Sequence, residues 1–537
     1  MKLNRWKQVG VVLALGVLAF VGLGSWALSS PVGSSPDDDY HLASIWCAWG
    51  DREGLCAPGD TPEERTVSQE LLLSSMCFAF KPDQSADCGY ATDGEVSTHR
   101  GNFNGNYPPL FYGTMGIFAS PDIGLSTILM RLFNSALFVG AVALVVTLLR
   151  RGQRGPLLWG AAVTMVPLGM FIVPSVNPSS WAVLAGLTVW IATAGYFTAV
   201  KRGSRIALGA LAVLLAILGA GSRGDAAAYV ALAAVVAAIL TFRRARDWLK
   251  LAILPAAIIV IGAVFFLSTG QSTSYVSTAV IQGASDLQLA DPGAAVASQG
   301  LGSSLRLLFE NLLLLPGLWA GVLGSWKLGW LDTPMYDTVW VATIGAFSAV
   351  MFWGLRVLRG RKALALALVL LALVVVPLYI LYGLNARIGE EVQPRYILPL
   401  FVMFAGVALY GFTRDDLGLS RVQASIVLFG LAVANSLALH MNMRRYITGI
   451  DFKGANLNSN IEWWWAIPVS PMVVWFAGSA GFALLLFGLY FVLFTSAGRR
   501  LMPQTEGAND GETPNQERVR REPQEVNSKP ISSGATG

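Results

Sequence analysis

The sequence predicts an all-α polytopic membrane protein with about twelve transmembrane helices. Its 537 residues are 54% hydrophobic and only 13% charged, whereas soluble domains carry about a quarter charged residues. The apolar residues are grouped in runs of about 20, the length that a helix needs to cross a hydrocarbon core. Because these runs show no alternation of apolar and polar residues, we expect helices rather than the strands of a barrel.

Twelve runs are long enough to cross the membrane. Their expected bounds are 9–29, 122–149, 156–175, 179–199, 206–221, 225–242, 248–268, 336–355, 363–384, 396–412, 421–441 and 471–496. No small-residue cleavage site follows the first run, so we interpret it as a retained span. The expected membrane domain is 1–497. The tail 498–537 is polar, lacks aromatic residues and is expected to be disordered in the cytoplasm.

Lysine and arginine are distributed unequally between the short loops on the two sides of the membrane. Twenty-one lie on one side and six on the other. The positive-inside rule places the richer side, with both termini, in the cytoplasm. We therefore expect a multi-pass protein of a bacterial plasma membrane. Its net charge of +5 reflects this topology and does not indicate binding of nucleic acid.

Three large regions are expected on the extracytoplasmic side, at 30–121, 269–335 and 442–470. The second contains "LLFENLLLLPGLWAGVLGSWKLGWLDTP", which is long enough for a further span. A further span would place the basic "RVLRGRK" outside. We therefore predict an interfacial or re-entrant helix there. The third region contains "NSNIEWWWAIPVSP", an aromatic anchor at the interface.

All four cysteines lie in the first extracytoplasmic loop, which is an oxidising environment. An even count predicts two disulfides. Of the three possible pairings we favour Cys47–Cys56 with Cys77–Cys88, on proximity in sequence. The alternatives are free thiols, or a zinc site with one of the loop histidines. The absence of a C-x-x-C pair disfavours zinc.

Three consecutive aspartates, Asp37, Asp38 and Asp39, follow the first span in "PDDDYH". One aspartate is enough to cap a helix, so three of them suggest a further role. A carboxylate just outside the bilayer can accept a proton from a hydroxyl or bind a cation. Asp38 and Asp39 are the candidate catalytic residues and the candidate ligands of a divalent cation, Mg²⁺ or Mn²⁺. Asp37 and His41 are candidates for substrate binding.

Three further outer residues have both a structural and a functional interpretation. Tyr107 precedes two prolines and fits a rigid turn at the membrane interface, where it would pack beside the aspartates. Arg223 lies between two Ala-rich spans and either pairs with Asp225 or faces a cavity and binds an anion. Asp332, in "GWLDTP", either caps the following span or faces the same outer chamber.

Arginines late in the chain are the second strong signal. Arg395 and Tyr396 begin a span at the outer face, where the positive-inside bias disfavours arginine. The partner of Arg395 is either a glutamate of the preceding "EEVQ" or a lipid phosphate, which suits guanidinium geometry. Arg444 and Arg445 leave another span on the same face and would add positive potential for a phosphate.

The sequence contains no P-loop, dinucleotide-binding fingerprint or H-E-x-x-H motif. We therefore expect any chemistry to occur on the outer side, where nucleotides are scarce. An activated donor would then have to be a lipid-borne group.

Five motifs in order resemble a bacterial multi-pass family known only as predicted membrane proteins of unknown function. They are "PDDDYH", "YPPLFY", "SVNP", "GWLDT" and "QPRYILP", between about 31 and 400. Pro394 stands where the family has glycine, and Asp39 departs from its Asp–Glu pattern. That family in turn looks like the membrane glycosyltransferases of the C-type fold. Those enzymes place an acidic residue in the first outer loop and take sugars from polyprenyl phosphate.

The resemblance implies an extracytoplasmic glycosyltransferase. Its partners would be a lipid-linked sugar donor, a cell-envelope glycan or protein acceptor, and the bilayer. Two other functions stay open at this stage. A lipid or glycan transporter or flippase would need ionisable residues deep in the membrane and internal symmetry. A glycan polymerase or ligase would share the outer arginines but would need no acidic base.

Overall fold

The structure is a computed structural model that describes residues 2–87, 94–270, 301–412 and 416–501. Within these residues, eleven helices are long and apolar enough to cross a membrane, and one shorter apolar helix covers Pro394–Ala408. The prediction of a polytopic helical membrane protein is therefore confirmed.

The elements described are mainly helices. Their bounds are α1 Lys2–Leu28, α2 Asp38–Trp46, α3 Gln69–Leu73, α4 Pro109–Met115, α5 Ile123–Leu148, α6 Arg151–Thr164, α7 Leu168–Ile172, α8 Ser179–Thr198, α9 Arg202–Ala220, α10 Gly224–Thr241, α11 Arg246–Leu251, α12 Ile253–Leu267, α13 Leu301–Ala320, α14 Asp337–Leu355, α15 Gly360–Leu384, α16 Pro394–Ala408, α17 Arg421–Ile447, α18 Pro471–Phe494 and α19 Ser496–Leu501. Three strands, β1 Ala57–Pro58, β2 Arg65–Ser68 and β3 Glu95–Thr98, form an antiparallel sheet in that order.

Two faces of the helical bundle can be distinguished by their contacts. We call the side that carries the first loop, residues 29–122, the loop face, and the opposite side the basic face. On the loop face, the amide of Ile450 donates to the carbonyl of Pro82 at 3.1 Å. On the basic face, Arg151 donates to the carbonyl of Arg499 at 3.2 Å. The faces therefore match the two sides distinguished by the sequence.

The segment from α13 to Asp332 starts and finishes on the loop face. At the middle of α13, Asn311 donates to the carbonyl of Ala386 at 2.9 Å, at the loop-face end of α15. The chain turns at Gly324, which has a φ of +97°. The indole of Trp330 then donates to the carbonyl of Gly33 in the first loop at 2.8 Å. The contacts therefore describe a re-entrant helix, although Leu305–Ser325 is long enough to span.

Two crossings are shorter than the sequence predicts. The expected span 156–175 is broken, because α6 ends at Thr164 and the chain turns at Pro167 before α7. The span expected at 396–412 is helical only to Ala408. When these two are included and the re-entrant α13 is left out, the described residues contain twelve candidate crossings. At the far end, α19 continues to Leu501, past the expected domain boundary, and the rest of the predicted tail lies outside the described residues.

Helix α8 lies at the centre of the bundle and packs closely on α16 through a glycine. Most of α8 is buried, including its two tryptophans. A Cβ atom at Gly186 would collide with the backbone carbonyl of Pro399 and lie 2.9 Å from its Cα atom. The glycine therefore sets the distance between α8 and the first turns of α16.

We expect Gly186→Ala to lower the free energy of unfolding by about 1–3 kcal/mol, because backbone atoms of α16 must move to admit the methyl group. Thermal unfolding of the purified protein measures this loss. Gly140→Ala in α5 is the matched control, since no heavy atom lies within 4 Å of its added Cβ atom. Equal unfolding temperatures for the two variants would contradict this packing.

The first loop forms a small folded unit above the bundle. Helix α2 leads into the Cys47–Cys56 disulfide, whose Cα atoms are 5.3 Å apart, so the first predicted pairing is confirmed. Within the closed loop, Arg52 donates to the carbonyl of Trp46 at 2.5 Å. The second predicted pair, Cys77 with Cys88, includes Cys88, which lies outside the described residues.

Candidate functional site

The segment Leu28–Pro36 joins the last residue of α1 to α2, and from Ser29 onward it is not helical and is buried inside the protein. Buried carbonyl groups need partners, and side chains from distant elements supply them here. Arg131 of α5 alone donates to the carbonyls of Ala27, Ser30 and Pro31, at 2.5–3.0 Å.

Further donors hold the rest of this segment. They are Trp465 on Leu28, Asn442 on Ser29, Trp330 on Gly33, Tyr446 on Ser34, and both Asn177 and Arg395 on Pro36. The position of the following residue, Asp37, is thus fixed by side chains from several parts of the bundle.

Asp37 is the carboxylate that the structure places beside Arg395. It precedes α2 with a φ of +61°, a left-handed conformation that is uncommon outside glycine. Its Oδ2 atom lies 2.5 Å from Nη2 of Arg395, and its side chain is still 38% exposed. Burial is the largest effect and would raise the pKa of Asp37, but the charge and hydrogen bond of Arg395 and the smaller effects of other neighbouring charges together lower the pKa to about 2. Asp37 is therefore ionised and can be reached by solvent.

Arg395 is almost fully enclosed, with 3% of its side chain exposed. Its guanidinium also donates to the carbonyl of Pro36 at 2.9 Å and to the hydroxyl of Tyr396 at 3.0 Å. Its Nε atom is buried and has no hydrogen-bond partner among the described residues. The glutamate partner considered from the sequence is not observed, since Glu390 instead accepts from the amide of Arg387.

Arg223 approaches the same site from the start of α10. Its guanidinium binds both oxygens of Asp225, at 2.8 and 3.0 Å. It also lies over the ring of Tyr396, 4.8 Å from the centroid, and 5.9 Å from the ring of Tyr107. The pairing with Asp225 considered from the sequence is therefore observed, and the binding of an anion by Arg223 stays a prediction.

His41 lies beneath this group, in a cluster of aromatic rings. Its Nδ1 atom is 3.0 Å from the hydroxyl of Tyr112, and the rings of Tyr40 and Tyr107 approach it edge-on. Burial, with the neighbouring arginines, lowers the pKa of His41 to about 3. The imidazole is therefore neutral at physiological pH and supports the site by packing and hydrogen bonding.

Asp38 and Asp39, the predicted catalytic pair, point to different surroundings. Asp38 is fully buried; its Oδ2 accepts the amide of Ser35 at 3.0 Å and its Oδ1 has no partner among the described residues. Asp39 forms two hydrogen bonds with Arg100, of 2.6 and 3.3 Å. In this arrangement Asp38 cannot contact a substrate, and the accessible carboxylate next to Arg395 is Asp37.

Burial raises the pKa of Asp38 to about 7, which predicts a pH-dependent stability. Between about pH 4 and pH 7 the folded protein retains a proton that the unfolded chain releases. The contribution of Asp38 to the free energy of unfolding therefore falls as pH rises through this range. Asp38→Asn removes this titration, so its unfolding temperature relative to wild type should increase between about pH 5 and pH 8.

The comparison with wild type is needed because His41 titrates with the opposite sign. Its lowered pKa means that stability rises with pH up to the pKa of the unfolded chain. This term is common to both proteins and cancels in the difference. Asp51→Asn, at an exposed loop position, is the control. A constant difference for Asp38→Asn would contradict the prediction.

Three predicted substrate-binding residues lie elsewhere and bind the protein itself. Asp332 and Arg445 form a buried ion pair at 2.8 Å, and Asp332 also accepts the amide of Phe80. Arg444 donates to two carbonyls of the third loop, those of Gly454 and Asn456. These three residues attach outer loops to α17, so their observed contacts are structural.

Arg100 is a residue that the sequence analysis missed. It follows β3, reaches Asp39 as described above, and lies 4.0 Å from Asp37 and 5.8 Å from the ring centroid of Tyr40. Its side chain is 47% exposed. The first loop is too long for the positive-inside bias to single out one of its arginines, so no signal in the sequence marked Arg100.

The described residues do not fit the metal site considered from the sequence. No group of three or more His, Cys, Asp or Glu side chains among them could hold a metal ion. Asp38 and Asp39 also have separate partners, as shown above. We therefore derive no step that uses a divalent cation.

A cavity of about 170 Å³ lies between α1, α5, α6 and α18. Its lining is apolar and includes Leu23, Phe138, Met165 and Phe482. It suits a hydrocarbon chain. None of the candidate site residues lines it, so it is separate from the group around Asp37.

Comparison with known proteins gives one match. A family model described as "Predicted membrane protein (DUF2142)" matches residues 20–404, which include Asp37, Arg100, Arg223 and Arg395. No curated protein and no solved structure matches the chain.

Proposed function

This chain belongs to the DUF2142 family of membrane proteins, and we propose that it is an extracytoplasmic glycosyltransferase. The enzyme transfers a sugar from a polyprenyl-phosphate donor to a hydroxyl of a cell-envelope glycan or protein. In this proposal the loop face is outside and the basic face, with both termini, is in the cytoplasm of a bacterial plasma membrane. The excess of Lys and Arg on the basic face supports this orientation.

The observation that carries the proposal is the contact between Asp37 and Arg395. Asp37 lies at the start of a helix of the outer loop, where a water-side acceptor has access, and Arg395 lies at the start of a membrane-crossing helix. A base for a hydroxyl proton and a cation for a lipid phosphate are thus 2.5 Å apart. A transporter needs neither a base nor this juxtaposition.

The surroundings of Arg395 suit a phosphate. A desolvated guanidinium interacts more strongly with an anion than an exposed one does. The ring of Tyr396 lies between two such groups, 4.9 Å from Arg395 and 4.8 Å from Arg223. Positive charge held in place at the leaving phosphate stabilises the transition state, where negative charge develops.

The proposed step is a single displacement at the anomeric carbon. Asp37 accepts the proton of the acceptor hydroxyl, while the oxygen of that hydroxyl forms a bond to the anomeric carbon. The bond from that carbon to the phosphate oxygen breaks, and its electron pair leaves with the polyprenyl phosphate, whose charge Arg395 balances. One displacement predicts inversion of anomeric configuration.

Donor binding also prepares the base in this scheme. A phosphate at Arg395 competes with Asp37 for the guanidinium and so weakens the interaction that lowers the pKa of Asp37. The carboxylate then becomes a better proton acceptor when the donor is present. The proposed base is therefore Asp37, and not Asp38 or Asp39 as the sequence suggested.

The test compares cells that lack the protein with cells that carry wild type or Arg395→Gln. We expect envelope glycans to lose one sugar both in cells that lack the protein and in cells that carry Arg395→Gln. We also expect purified Arg395→Gln to bind undecaprenyl phosphate at least about tenfold more weakly than wild type, as measured by native mass spectrometry. Arg387→Gln is the control, because Arg387 is 61% exposed and pairs with Glu310.

Two outcomes would contradict the proposal. Envelope glycans that are identical with and without the protein would exclude a transferase of this kind. Loss of the sugar together with accumulation of the sugar-loaded lipid in the inner leaflet would favour a flippase instead.

A further inference from the structure

We infer that Tyr40, Asp39 and Arg100 form the binding subsite for a carbohydrate acceptor, beside the proposed base. This inference rests on the proposed function and adds the chemical class of the second substrate. It starts from the difference between the two arginines that approach Asp37: Arg395 is enclosed, whereas Arg100 is 47% exposed and already paired.

The Arg100–Asp39 pair matches hydroxyl groups better than an anion. Two hydrogen bonds join the pair, so its net charge is close to zero and its attraction for a phosphate is weak. The pair nevertheless presents the N–H donors of Arg100 next to the carboxylate acceptors of Asp39. Each sugar hydroxyl both donates and accepts a hydrogen bond, so neighbouring hydroxyls complement such a pair.

Aromatic rings border the same place. Tyr40 and Tyr107 are partly exposed, and their ring centroids are 5.7 Å apart. The hydroxyl of Tyr40 is directed towards the amide oxygen of Asn102 at 3.5 Å. Rings with a polar edge, together with a few fixed polar groups, are typical of sites for amphipathic ligands such as sugars.

The subsite faces water rather than lipid. Arg100 follows β3, and the amide of the exposed residue Asp60 donates to the hydroxyl of Ser97 in that strand at 2.9 Å. Asp39 and Tyr40 belong to α2, and all of these elements lie in the first loop. The acceptor therefore approaches from the aqueous side, while the lipid donor approaches along α16, and the two meet at Asp37, 4.0 Å from Arg100.

The test measures binding of soluble glycosides to the full-length protein in nanodiscs. A panel of methyl glycosides of common envelope sugars is examined by saturation-transfer NMR. We expect one or more glycosides to bind wild type, and Arg100→Ala and Asp39→Asn each to weaken this binding by about tenfold. Arg65→Gln, which removes a partly exposed arginine of the same sheet, should leave this binding unchanged.

The two proposals can fail separately. Failure of every glycoside to bind wild type would overturn the carbohydrate assignment, and equal binding by wild type, Arg100→Ala and Asp39→Asn would overturn its location. An equal loss with Arg65→Gln would show a general effect on the loop and would also overturn it. Binding of undecaprenyl phosphate tests only the proposed function of Arg395, and Arg100→Ala should leave that binding intact.

Discussion

Replacing Asp37 with asparagine is expected to reduce the rate of sugar transfer by about 10²–10⁴-fold, the range that a general base contributes. The amide has nearly the same shape as the carboxylate and can still accept a hydrogen bond from Arg395, but it cannot take the proton of the acceptor. Because Arg395 is kept, binding of the polyprenyl-phosphate donor should persist or strengthen, since the competing carboxylate charge is gone.

The measurement pairs transfer rate with donor binding and thermal unfolding of each purified variant. Asp51→Asn removes a 60% exposed carboxylate of the same loop and should leave all three unchanged. Asp39→Asn tests the neighbouring carboxylate and should weaken acceptor binding while retaining the base. If Asp37→Asn transferred sugar at the wild-type rate and Asp39→Asn did not, the base would be Asp39 and the assignment would be wrong.

Replacing Arg445 with glutamine is expected to lower the free energy of unfolding by about 3–5 kcal/mol, as is usual when one partner of a buried ion pair is removed. Asp332, only 2% exposed, would keep a buried charge without its partner. The carbonyls of Phe78 and Gln84, which Arg445 also binds, would lose their donors. Thermal unfolding and protease sensitivity of the purified protein measure the loss.

Arg65→Gln provides the contrast, because the Arg65–Asp51 pair is 35% and 60% exposed. Its loss should cost less than about 1 kcal/mol. The double variant Asp332→Asn with Arg445→Gln should be less destabilised than the sum of its two single changes, since no uncompensated charge remains. An Arg445→Gln protein as stable as Arg65→Gln would show that the pair does not hold the first loop in place.

The sequence predicted the crossings well because hydropathy reports which helices face lipid. It could not show the break between α6 and α7, since both halves are apolar and the break lies inside a buried part of the bundle. It also ended one span at 441, although α17 continues to Ile447. The polar residues of that last turn, including Arg444 and Arg445, contact protein loops. Their polarity is typical of a loop, and for this reason the sequence predicted that the span ends before them.

The site could be predicted in outline but not in detail. An acidic run after the first span and an arginine at the start of a late span both stood out, and the structure brings Asp37 and Arg395 together. The choice among the three aspartates depends on the left-handed conformation of Asp37, which directs Asp38 inward. Arg100 reaches Asp39 only because a sheet forms in the first loop, and this local fold has no strong signal in the sequence.

The carbonyls of Leu28–Pro36 have a consequence for how the protein matures during synthesis. Their donors include Asn442, Tyr446 and Trp465, which are made more than 400 residues after the segment they hold. These donors also lie beyond residue 404, where the family match ends. A chain shortened to the matched region would insert its helices yet leave Asp37 poorly placed, so competence for catalysis arises only when the final two crossings join the bundle.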